Sequence, residues 1–362
     1  HYRYPFIYGQ PDTRQFPLAT WRSAANWLHG GVRDPAWVID HIDQDVPMLI
    51  EQIRTRVLPK RGIVAAPDEI LITLGSQNAL YLLTRLLLSS TTRIGVENPC
   101  FREAINTFLL ADAEVVPHPV DEEGIVLNER PCDYYYVTPG HQVPTGVTMS
   151  SARRRQLLEH AARHDAVIIE DDYDSESNFT LNPLPALKAS DRSGRVVYVS
   201  SLSKALSPGL RLGFMVADPD LIDEARALRR LVYRHPPTNI QYQMAHFLAQ
   251  GHYETHLRRY HYDSAQRWER LHAALQRYLP SCRALAGSEH ANAFWLQTPA
   301  QINTQQLTWR AAHAGVLIEP GARHFLSAAP PDNYFRMGFH AINPDAIAQG
   351  VEVLRGQLEQ MG

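Results

Sequence analysis

The sequence predicts an α/β protein with a mostly parallel central sheet, helices on both faces of this sheet and a smaller C-terminal α+β domain. Two observations predict this fold class. Between about residue 47 and residue 220, apolar runs typical of strands alternate with amphipathic segments typical of helices, and such alternation produces a parallel sheet covered by helices. Beyond residue 220 the pattern is mainly helical, and strand-like runs return near the C-terminus.

The N-terminal region begins with irregular sequence, in which "GQPDTRQFP" has the composition of a loop. A helix is predicted over "PMLIEQIRTRVLPKRG", because its apolar residues recur at helical spacing and a glycine ends it. The strand "DEILITLG" follows, and a buried helix is expected to begin at Ser76.

The alternation continues through the middle of the chain. Strands are predicted in "TRIGVENP", "EVVPHPV", "DYYYV", "AVIIEDDYD" and "GRVVYVSSLSK". Helices are predicted in "FREAINTFLLADA" and in "SSARRRQLLEHAARHD", where Ser150 or Ser151 is the N-cap. The helical segments "DLIDEARALRRLVY" and "QYQMAHFLAQ" and a long segment ending near Tyr278 come next, before the strands "NAFWLQT", "GVLIEP" and "YFRMGF".

The composition excludes several classes of protein. The chain has 362 residues, 44% of them hydrophobic, and its net charge of −3 argues against an overall basic surface for nucleic acid or anionic membranes. Its cysteines, Cys100, Cys132 and Cys282, are odd in number and widely spaced, so they form neither a disulfide framework nor a metal pattern. The most apolar run contains Arg85 and is too short to span a bilayer. We therefore expect a cytoplasmic protein without a membrane partner.

Chemically reactive side chains fall repeatedly at the ends of predicted strands. Ser76 and Gln77 follow one strand, Asp171 and Tyr173 follow another, and the stretch Ser201 to Lys204 follows a third. Ligands bind outside the carboxyl ends of the strands in open α/β sheets. The repetition therefore predicts a ligand site at this edge of the sheet.

Two of these groups have the composition of an anion site. Ser76 opens a helix, whose free N–H groups and dipole attract anions, although a serine there can also be an ordinary N-cap. Ser201, Ser203 and Arg211 can hold a phosphate, with the guanidinium making a bidentate contact. The Lys204 amine, if it is held near cationic groups, can attack an aldehyde. The same residues also fit a polar surface turn.

The acidic run from Glu170 to Asp174 follows an apolar strand and has three interpretations. It can bind a divalent metal, it can pair with a protonated ring nitrogen of a cofactor, or it can be a solvated turn. Arg336 lies between apolar residues and needs either a structural acid or a ligand carboxylate as its partner. His141 lies in a Pro/Gly loop, where a structural role is more common than a catalytic one.

Taken together, these residues resemble fold-type I pyridoxal 5′-phosphate (PLP) proteins, the aminotransferase-like class, over nearly the whole chain. The resemblance implies that Lys204 carries PLP as an internal aldimine, that Asp171 faces the pyridine nitrogen and that Tyr173 hydrogen-bonds O3′, which makes these the expected catalytic residues. Phe101, after "ENPC", falls where an aromatic ring stacks on the cofactor. The residues expected to hold the phosphate are Ser76, Gln77, Ser201, Ser203 and Arg211.

Several stretches are similar to the effector domains of MocR-type transcription regulators of the GntR family, among them "TPGHQVPTG", "EDDYDSE" and "SLSKALSPGLRLGF". Such regulators join an N-terminal winged helix-turn-helix, which binds operator DNA, to an aminotransferase-like domain. That domain binds PLP, senses an amine or amino acid as an external aldimine, and forms a homodimer. No helix-turn-helix precedes "HYRYPFIYG", so we expect either that the DNA-binding domain lies outside this chain or that the protein never had one.

Two positions bear on the effector. Arg336 falls where these proteins bind the α-carboxylate of an amino acid. Glu103 lies two residues after Phe101, where the 4-aminobutyrate sensor of the family has an arginine. An acid there repels a carboxylate and attracts an ammonium, so we expect an effector with an additional amine, such as a diamino acid. Glu103 can equally pair with Arg102 or Arg336.

The resemblance also implies domain limits and leaves an alternative function open. An N-terminal segment, residues 1–45, is expected to associate with a small C-terminal domain, residues 276–362, and residues 46–275 form the large PLP-binding domain. The alternative is a class I/II PLP-dependent aminotransferase acting on an amino acid. Val143 stands before "PTG", where ordinary aminotransferases have an asparagine that contacts O3′ and the substrate carboxylate, and this argues against efficient transamination.

Overall fold

The computed structural model describes residues 2–30, 36–177, 183–284 and 291–361. The strands in these residues are β1 Tyr4–Pro5, β2 Ile70–Thr73, β3 Arg93–Asn98, β4 Glu114–Asp121, β5 Gly124–Ile125, β6 Tyr134–Val137, β7 Val167–Asp172, β8 Val196–Ser201, β9 Gly213–Val216, β10 Arg283–Ala284, β11 Ala293–Gln297, β12 Val316–Leu317, β13 Glu319–Pro320 and β14 Tyr334–Gly338. The helices are α1 Leu18–Gly30, α2 Pro47–Gln52, α3 Ser76–Leu87, α4 Arg102–Leu109, α5 Ser151–His164, α6 Leu187–Ser190, α7 Pro219–Val232, α8 Thr238–Ala249, α9 His252–Tyr278, α10 Thr304–His313 and α11 Ile347–Glu359.

The large sheet has the strand order β2-β9-β8-β7-β6-β3-β4-β5. The central pairs, from β4 through β3, β6 and β7 to β8, are parallel, whereas β9 runs antiparallel to both β8 and β2. Helices follow most of the parallel strands, because a parallel connection needs a crossover. This arrangement confirms the predicted fold class.

Alternate residues of the strands pack into clusters on opposite faces of the large sheet. In β9, Phe214 and Val216 join a cluster with helices α2 and α8, whereas Met215 joins a cluster with α3 and α4. Side chains of a strand point alternately to the two faces, so apolar residues at consecutive positions require both faces to be covered. The continuous apolar strands seen in the sequence are explained by this double coverage.

A second, smaller sheet has the order β10-β11-β14-β13 and is antiparallel. Its core includes Phe294, Phe335 and Met337, which pack with residues of α9, α10 and α11. Helix α9 therefore reaches from the core of the large sheet, through Tyr253, to the core of the small one, through Leu271.

The N-terminal strap, defined here as residues 4–15, crosses to the small sheet. Strand β1 pairs in parallel with β12, and the Gly338 N–H at the end of β14 donates to the Phe6 carbonyl at 3.1 Å. A Cβ at Gly338 would lie 2.3 Å from the Ile7 carbonyl oxygen, so only glycine permits this approach. Asp12 pairs with Arg267 of α9 at 2.7 Å. The strap is thus fixed to the C-terminal part of the protein.

Helix α1 packs differently from the strap that precedes it. The Trp21 ring contacts Phe247 of α8 edge to face, with ring centroids 5.4 Å apart, so α1 lies on the large-sheet side. The domain limits expected from the sequence stay a prediction. Among the helices of the described residues, none combines the length and the apolar composition that a membrane crossing needs.

Candidate functional site

A cavity of about 260 Å³ opens at the carboxyl ends of β2, β7 and β8. Its walls come from the large sheet, from the N-terminal strap through Tyr8 and Gly9, and from β14 of the small sheet. The structure brings together at this cavity the following residues that the sequence predicted: Ser76, Gln77, Phe101, Asp171, Tyr173, Ser201, Ser203, Lys204, Arg211 and Arg336.

Glu103 is the predicted site residue that the structure does not bring to this cavity. Phe101, the N-cap residue of α4, lines the cavity, but Glu103 in the first turn of the helix is exposed. Residues two positions apart on a helix do not share a face, which explains why one lines the cavity and the other does not. A role for Glu103 in effector binding therefore stays a prediction to which the geometry of this chain adds no support.

One end of the cavity is an anion site built on the N-terminus of α3. The N-cap is Gly75, with φ 81°, and no side chain caps the first turn, so Ser76 is the first helical residue and not a capping serine. Arg211 adopts φ 51°, and its guanidinium donates to the Leu74 carbonyl at 3.1 Å. A Cβ on Gly75 would lie 2.9 Å from Arg211 Nη2, so glycine allows the guanidinium to reach the helix N-terminus.

Two hydroxyls complete this end of the cavity. Ser201 Oγ lies 3.4 Å from Ser203 Oγ, and Ser203 donates to the Leu212 carbonyl at 3.1 Å. Uncapped helix N–H groups, hydroxyls and a guanidinium are the groups that bind phosphate in proteins. The arrangement therefore fits the phosphate of a cofactor.

Asp171 lies at the end of β7 and is buried, with one of its carboxylate oxygens left without a partner. Tyr136 donates to Oδ2 at 2.8 Å, whereas Oδ1 accepts no hydrogen bond from the residues that the structure describes. Burial raises the pKa of Asp171 to about 7, with a further contribution from the neighbouring charge of Asp172. An unmatched buried carboxylate oxygen is costly, and a protonated ring nitrogen would satisfy it. This unmatched oxygen is the structural evidence that the cavity fits PLP.

The other acids of the run have structural partners. Glu170 accepts hydrogen bonds from the backbone N–H groups of Leu187 and Lys188, and Asp172 pairs with Arg61 at 2.7 Å. Within the described parts of the chain, no group of His, Cys, Asp and Glu residues could hold a metal ion. The structure thus favours the ring-nitrogen interpretation of the acidic run over the metal interpretation.

Lys204 lines the cavity, where the charges of both Arg336 and Arg211 act on its amine. Burial lowers the pKa of its amine, the charge of Asp174 opposes this effect and the charge of Arg336 adds to it. Its Nζ lies 4.3 Å from the centroid of the Tyr8 ring and 5.6 Å from that of Tyr173. A lysine with a lowered pKa has a larger neutral fraction, and the neutral amine is the nucleophile that attacks an aldehyde.

Tyr173 and His141 lie beside each other next to the cavity. The Tyr173 hydroxyl donates to the His141 carbonyl at 3.2 Å, and burial, followed by the charge of Asp174, raises the Tyr173 pKa. The phenol therefore stays protonated at neutral pH. The His141 ring is buried, with Nδ1 3.8 Å from an oxygen of Asp174, and it is not among the residues that line the cavity.

Arg336 of β14 lines the same cavity. Its guanidinium carbon lies 3.7 Å from the centroid of the Tyr8 ring, and Nη1 lies 3.7 Å from an oxygen of Glu319. Burial raises the pKa of Glu319, but His324, whose Nε2 lies 3.3 Å from a Glu319 oxygen, and the charge of Arg336 outweigh burial and bring that pKa to about 2. Arg336 Nε is buried and has no hydrogen-bond partner among residues 2–30, 36–177, 183–284 and 291–361.

The sequence interpretation missed the contribution of the N-terminal strap to this site. Tyr8 donates from its hydroxyl to Asp174 at 3.0 Å, and Asn292 donates to the same carboxylate oxygen at 2.6 Å. A Cβ at Gly9, whose φ is 81°, would lie 3.2 Å from Lys204 Nζ. The available signal was the "YGQPD" turn, in which an aromatic residue and a glycine precede a proline, but this pattern alone gives no position in space.

The chain matches one protein family over most of its length. The family described as "Aminotransferase class I and II" matches residues 43–354. The solved structure of LysN, an α-aminoadipate aminotransferase from Thermus thermophilus complexed with N-(5′-phosphopyridoxyl)-L-leucine, has a TM-score of 0.88 and 26% identity. The match covers 99% of this chain and 92% of the LysN chain. The family is PLP-dependent.

Curated regulators are similar to this chain over nearly its whole length. The HTH-type transcriptional regulator TauR of Rhodobacter capsulatus is 39% identical over 354 residues, which is 97% of this chain and 72% of TauR. The probable rhizopine catabolism regulatory protein MocR of Rhizobium meliloti is 33% identical over 361 residues, which is 98% of this chain and 72% of that protein. Each relative is thus longer than the part that this chain matches.

Proposed function

The chain belongs to the aminotransferase class I and II family, as an aminotransferase-like domain of the MocR type found in GntR-family regulators, and on this premise we propose that it holds PLP in the cavity and senses a small amine there. The observation that carries the proposal is the buried Oδ1 of Asp171, which has no partner in the cavity wall and fits a protonated ring nitrogen. Such an oxygen would weaken the protein without a ligand to satisfy it.

Each residue of the cavity has a role in this proposal. PLP supplies an aldehyde that reacts reversibly with amines and a ring that withdraws electrons when its nitrogen is protonated. Asp171 holds the proton at that nitrogen, and Lys204 provides the amine for the aldehyde. The Tyr173 hydroxyl, which donates to the His141 carbonyl in this structure, would turn to donate to the ring oxygen, and the Phe101 ring would cover one face of the cofactor. The phosphate binds to the N-terminus of α3 and to Ser76, Gln77, Ser201, Ser203 and Arg211.

The effector class follows from Arg336 in the wall of the cavity. Arg336 has an unpaired N–H there, which fits the anionic group of an amino acid whose amine competes with Lys204. The narrower proposal, a diamino acid, rests on the sequence position of Glu103 and not on the cavity. PLP and the effector must share a cavity of about 260 Å³, below the usual range of about 300–1,000 Å³ for ligand sites, which favours a small effector.

The switch would act through the groups that surround Lys204. An effector amine that replaces Lys204 frees Nζ beside Tyr8 of the N-terminal strap, so the two states differ in the charges that face this segment. A ligand shifts a conformational equilibrium only through such differential interactions. We propose that a homodimer of this domain transmits the change to a winged helix-turn-helix that binds operator DNA.

An absorbance scan tests this function. PLP added to the purified protein is expected to produce a visible band that differs from that of free PLP, and an effector amine is expected to shift the band. Amino acids, diamino acids and dicarboxylates are compared at equal concentration. A shift with amino acids and diamino acids agrees with the proposal. A spectrum identical to that of free PLP at all protein concentrations would exclude it, and a response to dicarboxylates alone would exclude the diamino acid.

An aminotransferase is the second candidate, favoured by the presence of Lys204, Asp171 and Arg336 in one cavity. Against it stands Val143, a buried residue that lines the cavity where an asparagine would contact the cofactor and the substrate. Assays with an amino donor and a keto acid distinguish the two functions. Sustained turnover favours the enzyme, whereas a spectral shift without turnover favours the sensor.

A further inference from the structure

We propose that Tyr8 is a specificity-determining residue that positions Arg336 for the anionic group of the effector, and this inference rests on the function proposed above. Tyr8 lies in the N-terminal strap, far in sequence from Arg336 on β14. Its ring contacts Arg336 and Lys204 from one position. The residue is therefore placed to influence both ends of an amino acid in the cavity.

The Tyr8 ring determines which side of the guanidinium is available. The Arg336 carbon lies 3.7 Å from the ring centroid, well within the distance at which a cation is attracted to an aromatic face. One face of the guanidinium lies on the ring and Nη1 lies near Glu319. The remaining buried donor is Nε, which finds no acceptor in the described part of the chain. A guanidinium edge matches a planar or near-planar oxyanion such as a carboxylate.

Tyr8 is held in place through its hydroxyl and through the nearby backbone of the strap. Its hydroxyl donates to the buried carboxylate of Asp174 at 3.0 Å, and the backbone two residues earlier accepts from the Gly338 N–H of β14. Because Arg336 belongs to the same strand as Gly338, the strap and the arginine are joined through neighbouring backbone groups. The ring and the guanidinium are therefore positioned as one unit.

The same ring also lies beside the amine end of the site, with Lys204 Nζ 4.3 Å from its centroid. An effector amine competes for the aldehyde at this end while the anionic group meets the Arg336 edge. Since both cationic groups contact one ring, the amine and the anion of the effector must be close together. The effector class is therefore short ligands in which a few bonds separate an amine from an oxyanion.

The test compares ligands that differ only in the anionic group. The probes are L-alanine with ethylamine, and L-ornithine with putrescine, titrated into PLP-loaded protein while the visible band is followed. In Tyr8→Leu, the two amino acids are expected to bind about ten- to thirty-fold more weakly, the loss that a desolvated cation–π contact predicts. The two amines without a carboxylate are expected to bind nearly as in the native protein. Tyr8→Phe keeps the ring and should retain most of the preference for amino acids.

Tyr2→Leu is the matched control, because Tyr2 is 48% exposed and lies just before the strap. Equal weakening of the amino acids and the amines in Tyr8→Leu would indicate a merely structural role and overturn the inference, as would an unchanged preference. If the cofactor-free Tyr8→Leu variant does not melt cooperatively, the test rests on Tyr8→Phe alone. Loss of the preference for amino acids over amines in Tyr8→Phe would overturn the role of the ring. Native protein that gives no PLP band refutes the proposed function instead.

Discussion

Replacing Asp171 by asparagine is expected to stabilise the cofactor-free protein at pH 8 by roughly 2–4 kcal/mol, because the folded chain then no longer buries a charge. The pKa of Asp171 is raised by burial from 3.8 to about 7, so the folded state holds a proton that the unfolded state releases. The native protein therefore loses stability relative to the variant as the pH rises from about 4 to 7. Urea unfolding of both proteins at pH 4, pH 6 and pH 8 checks this dependence.

The same substitution is expected to weaken PLP binding by about ten- to one-hundred-fold, the range expected for losing a hydrogen bond between charged groups. Asparagine cannot offer a negative oxygen to a protonated ring nitrogen. Opposite effects on stability and on affinity are typical of a residue kept for binding and not for the fold. Fluorescence or absorbance titration of PLP measures the affinity.

Glu170→Gln is the matched control for Asp171→Asn. The pKa of Glu170 is also raised to about 7 by burial, and the charge of Asp172 adds to this effect. Both its oxygens accept backbone N–H groups, so the substitution affects the fold and leaves PLP affinity nearly unchanged. Unchanged affinity in Asp171→Asn, or the same loss in both variants, would contradict the role assigned to Asp171.

Arg211→Gln is expected to weaken PLP about ten- to one-hundred-fold, because the variant loses the charged fork that binds phosphate. Binding of pyridoxal, which has no phosphate, should change little. Arg230→Gln removes the same charge from the exposed side of α7, where Arg230 is 3.7 Å from Asp43, and should leave both affinities unaltered. The ratio of PLP to pyridoxal affinity is the quantity to compare.

The ratio separates a phosphate contact from a general loss of charge. A fall in the ratio for Arg211→Gln alone agrees with the anion site at the N-terminus of α3. An equal fall for Arg230→Gln would mean that the overall field of the protein attracts the phosphate. An equal loss of PLP and pyridoxal in Arg211→Gln would mean that the residue supports the turn and does not contact phosphate.

The parts of the site that lie at strand ends could be predicted from the sequence for a physical reason. An apolar run fixes where a strand is buried, and the residue after the run then falls at the edge of the sheet. Asp171 and Lys204 follow such runs, and parallel neighbours bring them to the same edge. Ser150 was likewise recognisable as an N-cap, and its hydroxyl accepts from the Arg153 N–H at 3.1 Å.

The parts of the site that depend on distant pairing could not be predicted from local pattern. Tyr8 reaches the cavity because β1 pairs with β12, more than three hundred residues away, and because Gly338 admits the strap. A short irregular segment has no periodicity from which such a contact can be read. Glu103 shows that closeness in sequence is not sufficient. It lies two residues after Phe101, but helical geometry turns its side chain away from the cavity.

The central claim is that Lys204 forms the covalent link to PLP, and borohydride reduction tests it most directly. Native protein and Lys204→Arg are incubated with PLP, reduced and digested, and the peptide masses are compared. We expect a phosphopyridoxyl group on the peptide that contains Lys204 in the native protein and none at residue 204 in the variant. A native protein that binds PLP tightly but carries no such group on this peptide, or carries it on another lysine, would show that Lys204 does not form the link.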